Sequence, residues 1–135
     1  MKKQLFIGAL VVTMLLAMLG TTFANPIWVD CYQTNTTVWQ FDANSAKIMD
    51  NGDLSTQLKL IWTYGKNKGY YAIQNITFRP SPLLYKEGLY TIYDSNNTVL
   101  VSKDNSIKGW TPIKDYDEMD NMRRNILDYI DSHKK

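Results

Sequence analysis

Leu54, Thr56, Leu58, Leu60 and Trp62 alternate with Ser55, Gln57, Lys59, Ile61 and Thr63. A period of two over this length predicts a half-buried β-strand with one apolar face. Upstream, Ile27–Gln33 and Thr36–Asp42 are short and rich in β-formers, with Thr34-Asn35 between them, and predict a hairpin. Asp50-Asn51-Gly52-Asp53 is a turn signal before the alternating strand. Downstream, Gly65-Lys66-Asn67-Lys68-Gly69 turns the chain into a further strand, Tyr70–Arg79, of mixed polarity. Pro80-Ser81-Pro82 interrupts that strand, because proline has no N–H to give a ladder. Leu89–Asp94 and Thr98–Ser102 predict another hairpin around Asn96-Asn97, residues that tolerate left-handed backbone.

After Pro112 the period changes. Met119, Met122, Ile126, Tyr129 and Ile130 fall on one side of a helix. Asp115, Asp117 and Glu118 precede them, while His133, Lys134 and Lys135 follow. Acid at the start and base at the end both complement the helix dipole. The predicted fold class is therefore α+β, an antiparallel β-sheet of about six short strands with a packed C-terminal amphipathic helix.

The N-terminus reads differently. Lys2 and Lys3 precede an apolar run from Leu5 to Gly20, and Thr22 and Ala24 are small residues at the positions a signal peptidase inspects. Residues 1–24 are expected to be a cleaved signal peptide, with residues 25–135 one exported domain. The competing reading, a membrane anchor, needs about 20 consecutive apolar residues, and this run is shorter. Without Lys2 and Lys3 the 15 basic residues fall to 13, equal to the 13 acidic ones. A near-neutral domain gives no net-charge argument for nucleic acid or an anionic membrane. The single cysteine, Cys31, excludes an internal disulfide; strand parity places it on the apolar side, as a buried thiol.

Chemistry is sparse. The one histidine, His133, lies near the end of the helix, where no partner is held to form a Ser-His-Asp or Cys-His site. Asp42–Lys47, Asp94–Val99 and the Asp115 segment each start like a calcium loop, but lack its glycine and its ligand spacing. Turn chemistry accounts for these Asp and Asn residues. Glycine-rich nucleotide loops and a Gly-x-Ser-x-Gly elbow are absent. The reading is a non-enzyme, with no catalytic residue, metal ligand or cofactor assigned. Asn35, Asn75 and Asn96 stand in Asn-x-Thr acceptors, which matter only in a glycosylating host.

All four tryptophans and nine tyrosines fall in the exported part, enough to build a core or an interaction surface. Trp62-Thr63-Tyr64-Gly65-Lys66-Asn67-Lys68-Gly69-Tyr70-Tyr71 gathers aromatics and lysines about one hairpin tip. Tyr64, Lys66 and Lys68 are the candidate partner-binding residues, against the plainer reading of a solvated tip over core aromatics. Arg79–Lys86 is a second candidate loop of similar character.

The order of features also resembles a known family. Trp28 opens a strand, Trp39-Gln40-Phe41-Asp42-Ala43-Asn44-Ser45 ends the next, and Gly52 turns into Leu58-Lys59-Leu60-Ile61-Trp62. Gly109-Trp110-Thr111-Pro112-Ile113 then precedes the helix. This resembles the surface-adhesin protein E family of small exported bacterial proteins. The chain departs from that pattern at Ala46-Lys47, and it has no second cysteine, so no family disulfide carries over. The resemblance implies an antiparallel sheet with a packed helix and a non-catalytic module that binds host extracellular-matrix or plasma proteins. Asp42, Ser45, Trp62 and Trp110 match the pattern and are read as turn and core positions. The implied location is the cell surface, periplasm or exterior, with no stable membrane anchor after processing. Two other functions stay open: a periplasmic inhibitor or accessory protein docking on an enzyme, and a small secreted hydrolase using carboxylates.

Overall fold

The computed structural model describes residues 25–115 and 117–134; the signal peptide expected over residues 1–24 lies outside them. Strands β1 (Trp28–Gln33), β2 (Thr37–Asp42), β3 (Lys47–Ile48), β4 (Leu54–Trp62), β5 (Tyr71–Pro80), β6 (Leu83–Tyr93), β7 (Val99–Asp104) and β8 (Thr111–Pro112) precede helix α1 (Glu118–Ser132). They form one antiparallel sheet in the order β1-β2-β4-β5-β6-β7. The short β3 pairs with the start of β4, and β8 with the start of β6. This is the α+β architecture expected, with two two-residue strands added to the longer six.

Parity decides which face is covered. Leu54 and Leu58 of β4 share a face with Phe41 of β2, Cys31 of β1, and Ile76 and Phe78 of β5, and all are buried. Met122 and Ile126, one helical turn apart, complete this cluster from α1. The Tyr129 ring meets Phe41 edge-on at 5.3 Å, and Asn125 Nδ2 donates to the Cys31 carbonyl at 2.8 Å. Full burial of an aliphatic or aromatic side chain such as these contributes about 1.5–3 kcal/mol. The helix starts where the acidic residues predict. Asp117 is its cap, and its Oδ1 accepts from Met119 N at 2.8 Å and Asp120 N at 3.2 Å.

Two expectations are corrected. Arg79–Lys86 is not a loop, because β6 begins at Leu83, directly after a two-residue turn containing a cis Ser81–Pro82 bond. Pro80 is the last residue of β5 and Pro82 the second turn residue, so the prolines end β5 without preventing the next strand. Trp62 and Trp110, read as core, are only half-buried. Trp62 has the parity of Leu58 but lies at the far end of β4, outside the buried cluster. Trp110 lies beneath the Arg79 guanidinium, whose carbon is 4.1 Å from its ring centre, away from the helix. Among the described residues, no helix is long and apolar enough to cross a membrane.

Candidate functional site

One helix cannot cover both faces of this eight-stranded sheet. The second face carries the odd-numbered residues of β4 and β5, held in register as Ser55 opposite Thr77, Gln57 opposite Asn75 and Lys59 opposite Ile73. Those strands therefore present a row of hydroxyls and amides where the helix side presents leucine, isoleucine and phenylalanine. Gln57 Nε2 donates to Asn75 Oδ1 at 3.0 Å, which orients the amides of this polar floor. A shallow depression of about 730 Å³ lies over it, with Ser55, Gln57, Asn75 and Thr77 in its lining.

Cation–aromatic groups flank the floor. On one side, Lys59 Nζ sits 4.8 Å from the Tyr71 ring centre and 5.4 Å from that of Trp28. Tyr71 stacks on Tyr93 at 4.8 Å, and its hydroxyl donates to Asn97 Oδ1 at 2.8 Å. Burial, with Tyr93 and Asp94 nearby, raises the Tyr71 phenol above its ordinary value. On the other side Trp110 carries Arg79 at 4.1 Å and Lys86 Nζ at 5.7 Å. Each such contact contributes about 0.5–1 kcal/mol when exposed, enough to bias where a lysine head sits.

The carboxylates around this face already have donors. Arg79 Nε and the Nη2 nitrogen bond the two oxygens of Asp53 at 3.2 and 3.1 Å. The Arg79 hydrogen bond is the main reason the Asp53 carboxyl is held below its ordinary value. Asp42 Oδ1 accepts from Ile27 N and Asn44 N, both at 2.9 Å, so it closes the turn after β2 as expected. Glu87 accepts from Asn105 Nδ2 at 3.1 Å and stands 3.9 Å from Lys108 Nζ. Gly88 beside it allows close strand approach; a Cβ there would lie 3.1 Å from the Asn75 Cβ.

The sequence-predicted tip lies at the end of the β4–β5 hairpin. Tyr64 is 72% exposed, and Lys66 and Lys68 are exposed beside it. Gly69 N donates to the Trp62 carbonyl at 2.8 Å and Lys68 N to the Gly65 carbonyl at 3.1 Å, which holds the turn closed. Gly65 and Gly69 take φ of 86° and 91°, conformations that glycine enters without strain. The turn thus brings the three predicted residues together, at the opposite end of β5 from Arg79 and Trp110. His133 is exposed at the end of α1, its ring stacked on Tyr129 at 3.8 Å and its Nδ1 2.8 Å from the Tyr129 carbonyl oxygen.

The sequence reading did not name the open face. Its signal was the polar parity of β4 and β5: Ser55-Gln57-Lys59 lie in a strand expected to be half-buried, and Asn75-Thr77-Arg79 in one of mixed polarity. Trp28 and Trp110 come from opposite ends of the chain, and only the register brings them to one surface. No family model, curated protein or solved structure matches the chain.

Proposed function

We propose that the protein is an exported, non-catalytic binding module that holds an extracellular macromolecule against the helix-free face of its sheet. One observation carries this reading. A polar floor with a depression of about 730 Å³ is flanked by Trp28–Lys59–Tyr71 and Arg79–Trp110–Lys86, and α1 packs on the other face. Tryptophan, tyrosine and arginine are enriched among the residues that dominate binding energy at interfaces, and Trp28, Tyr71, Arg79 and Trp110 supply them here. The resemblance to surface adhesins adds the setting, host matrix or plasma. The test is binding of protein from the exported fraction to immobilised matrix extract and plasma. Replacing Trp28 and Trp110 by alanine should weaken capture at least tenfold in a folded protein. Capture unchanged by that double substitution would place the contact elsewhere.

A second reading has its own support in the 72% exposure of Tyr64 on a closed turn. There the tip docks on a protein, with Tyr64 as anchor and Lys66 and Lys68 steering the approach. A tyrosine anchor of this kind contributes on the order of 1–2 kcal/mol, about tenfold in affinity. Rim lysines act on the association rate and its salt dependence. Alanine at all three positions, with the melting curve unchanged, tests it. Loss of protein capture with the open face intact would make the tip the principal contact.

A further inference from the structure

We infer that the occupant of the open face is a linear sulfated glycan, an inference that rests on the binding-module reading above. It starts from the charge the face leaves available. Among the described residues, no carboxylate forms an ion pair with Lys59 or Lys86, whereas Arg79 is paired with Asp53 and Lys108 stands by Glu87. Ser106, whose N donates to Asp104 Oδ1 at 2.9 Å, is the main cause holding the Asp104 carboxyl below its ordinary value, and Lys86 contributes less. Two ammonium groups are therefore presented over aromatic rings, on a domain whose expected mature charge is near zero. Localised positive charge on a neutral body selects an anionic ligand by position.

The geometry narrows the anion. Ser55 pairs through Thr77 with Lys86, and Lys59 lies four residues along β4 from Ser55. At strand rise and spacing, the Lys59 and Lys86 backbones stand about 13 Å apart along the strands and about 10 Å across them. One small anion does not reach both; a chain with repeating charges does. Between the lysines lie Ser55, Gln57, Asn75 and Thr77, a strip of hydroxyls and amides suited to sugar hydroxyls; the two carboxylates that also line the depression, Asp42 and Glu87, are held by their own donors.

Ring occupancy argues against a nucleic acid. Tyr71 and Tyr93 stack on each other, Lys59 stands over Trp28 and Tyr71, and Arg79 covers Trp110. Base stacking, the sequence-tolerant source of single-strand affinity, needs faces these partners already hold. Charge density separates a sulfated chain from a uronate one, because sulfate groups add charges that lysines meet as point charges. Bidentate carboxylate recognition uses a free guanidinium fork, and the Arg79 fork is engaged by Asp53. Lysines are point charges that need no such fork.

The experiment uses protein from the exported fraction of cells expressing the full chain, with labelled heparin as the sulfated probe. Heparin should bind, with affinity falling as salt rises and with a change in tryptophan emission. Lys59→Gln with Lys86→Gln should weaken binding at least tenfold and flatten the salt dependence, with an unchanged melting curve. Hyaluronan, a uronate polymer without sulfate, should bind at least tenfold more weakly than heparin, as should single-stranded DNA and polyglutamate. Equal binding of any of these three, no heparin binding at low salt, or heparin binding unaffected by the double substitution each overturns the inference. Matrix extract separates this from the reading beneath it. If heparin fails but the Trp28/Trp110 variant loses matrix capture, the face binds a ligand of another class. If matrix capture also survives that variant, the open-face reading falls with it.

Discussion

Asparagine at Asp120 removes a charge from the most enclosed polar position on the helix while keeping its volume. The Asp120 side chain is fully buried, and its Oδ1 accepts from Arg123 at 3.2 and 2.9 Å and its Oδ2 from Arg124 at 2.8 Å. It lies in the first turn of α1, where negative charge also meets the helix dipole. Removing one partner of a buried ion pair costs about 3–5 kcal/mol when the other is left buried and unpaired. Here the arginine side chains retain 16% and 49% exposure, so neither is fully withdrawn from water. That exposure lowers the expected cost of Asp120→Asn to about 2–3 kcal/mol. For a domain of this size each kcal/mol lowers Tm by about 4 °C, so a fall of about 8–12 °C is expected. Urea unfolding should give a lower midpoint with an unchanged slope, because the surface exposed on unfolding is the same. Arg124→Ala is the internal comparison; it removes a donor to the fully buried Asp120 Oδ2 and should cost about 1–3 kcal/mol. A Tm for Asp120→Asn within about 2 °C of the parent, roughly 0.5 kcal/mol, would show that the buried pairing adds no net stability.

Two further expectations concern titration. Burial, with Asp30 nearby, pushes the Cys31 thiol up from 9.0 to about 12, so the folded protein should resist a thiol reagent that labels it rapidly in denaturant. Below pH 9 the thiol is neutral folded or unfolded; between pH 9 and 12 only the unfolded chain ionises, so stability should decline across that range, and Cys31→Ser should lessen the slope. Asp53 runs the other way. Its carboxyl is held low by Arg79, so its contribution is present above its ordinary 3.8 and is lost as pH falls through the lower folded value. Asp53→Asn should therefore flatten the acid limb of a Tm-versus-pH curve below about pH 4; an unchanged limb would mean the pair does not set acid stability.

What could be read in advance followed the strength of the local pattern. In β4 the apolar and polar parities are distinct, and its bounds, Leu54–Trp62, match the alternating run. The helix has both a 3.6-residue apolar repeat and an acidic start, and its cap falls at Asp117 within the predicted acidic turn. β3 and β8 have two residues each, too few to show a period, and exist because β4 and β6 offer them a ladder. The first half of β6 was illegible for a different reason. Lys86-Glu87-Gly88 looks like loop chemistry, yet Lys86 is half-buried beside Trp110, Glu87 is held by Asn105, and Gly88 sits at a register shift opposite β5. Each residue is satisfied by a partner distant in sequence, which no local window contains.

The candidate site was the least legible part, and the aromatic residues explain why. Phe41 and Phe78 have no polar atom and go to the core; both are 1% exposed. Trp28, Tyr71, Tyr93 and Trp110 bring a polar atom or a cation-binding ring face, and all four are half-buried on the open side. Counting aromatics cannot separate these groups; parity can, where the strand's two faces differ. In β5 they differ little, because Ile73 stands among the polar parity and Gln74 among the apolar one, and Gln74 is buried. The neighbouring strands settle it: Ile76 stands opposite Thr56 of β4, one step along from the Leu58 that is packed beneath α1. Once that side belongs to the helix, Tyr71, Asn75, Thr77 and Arg79 must share the other with Lys59. The surface proposed for binding is therefore a consequence of where the helix packs, and a perturbation that shifted α1 without touching the open face should leave ligand affinity intact while the domain stays folded.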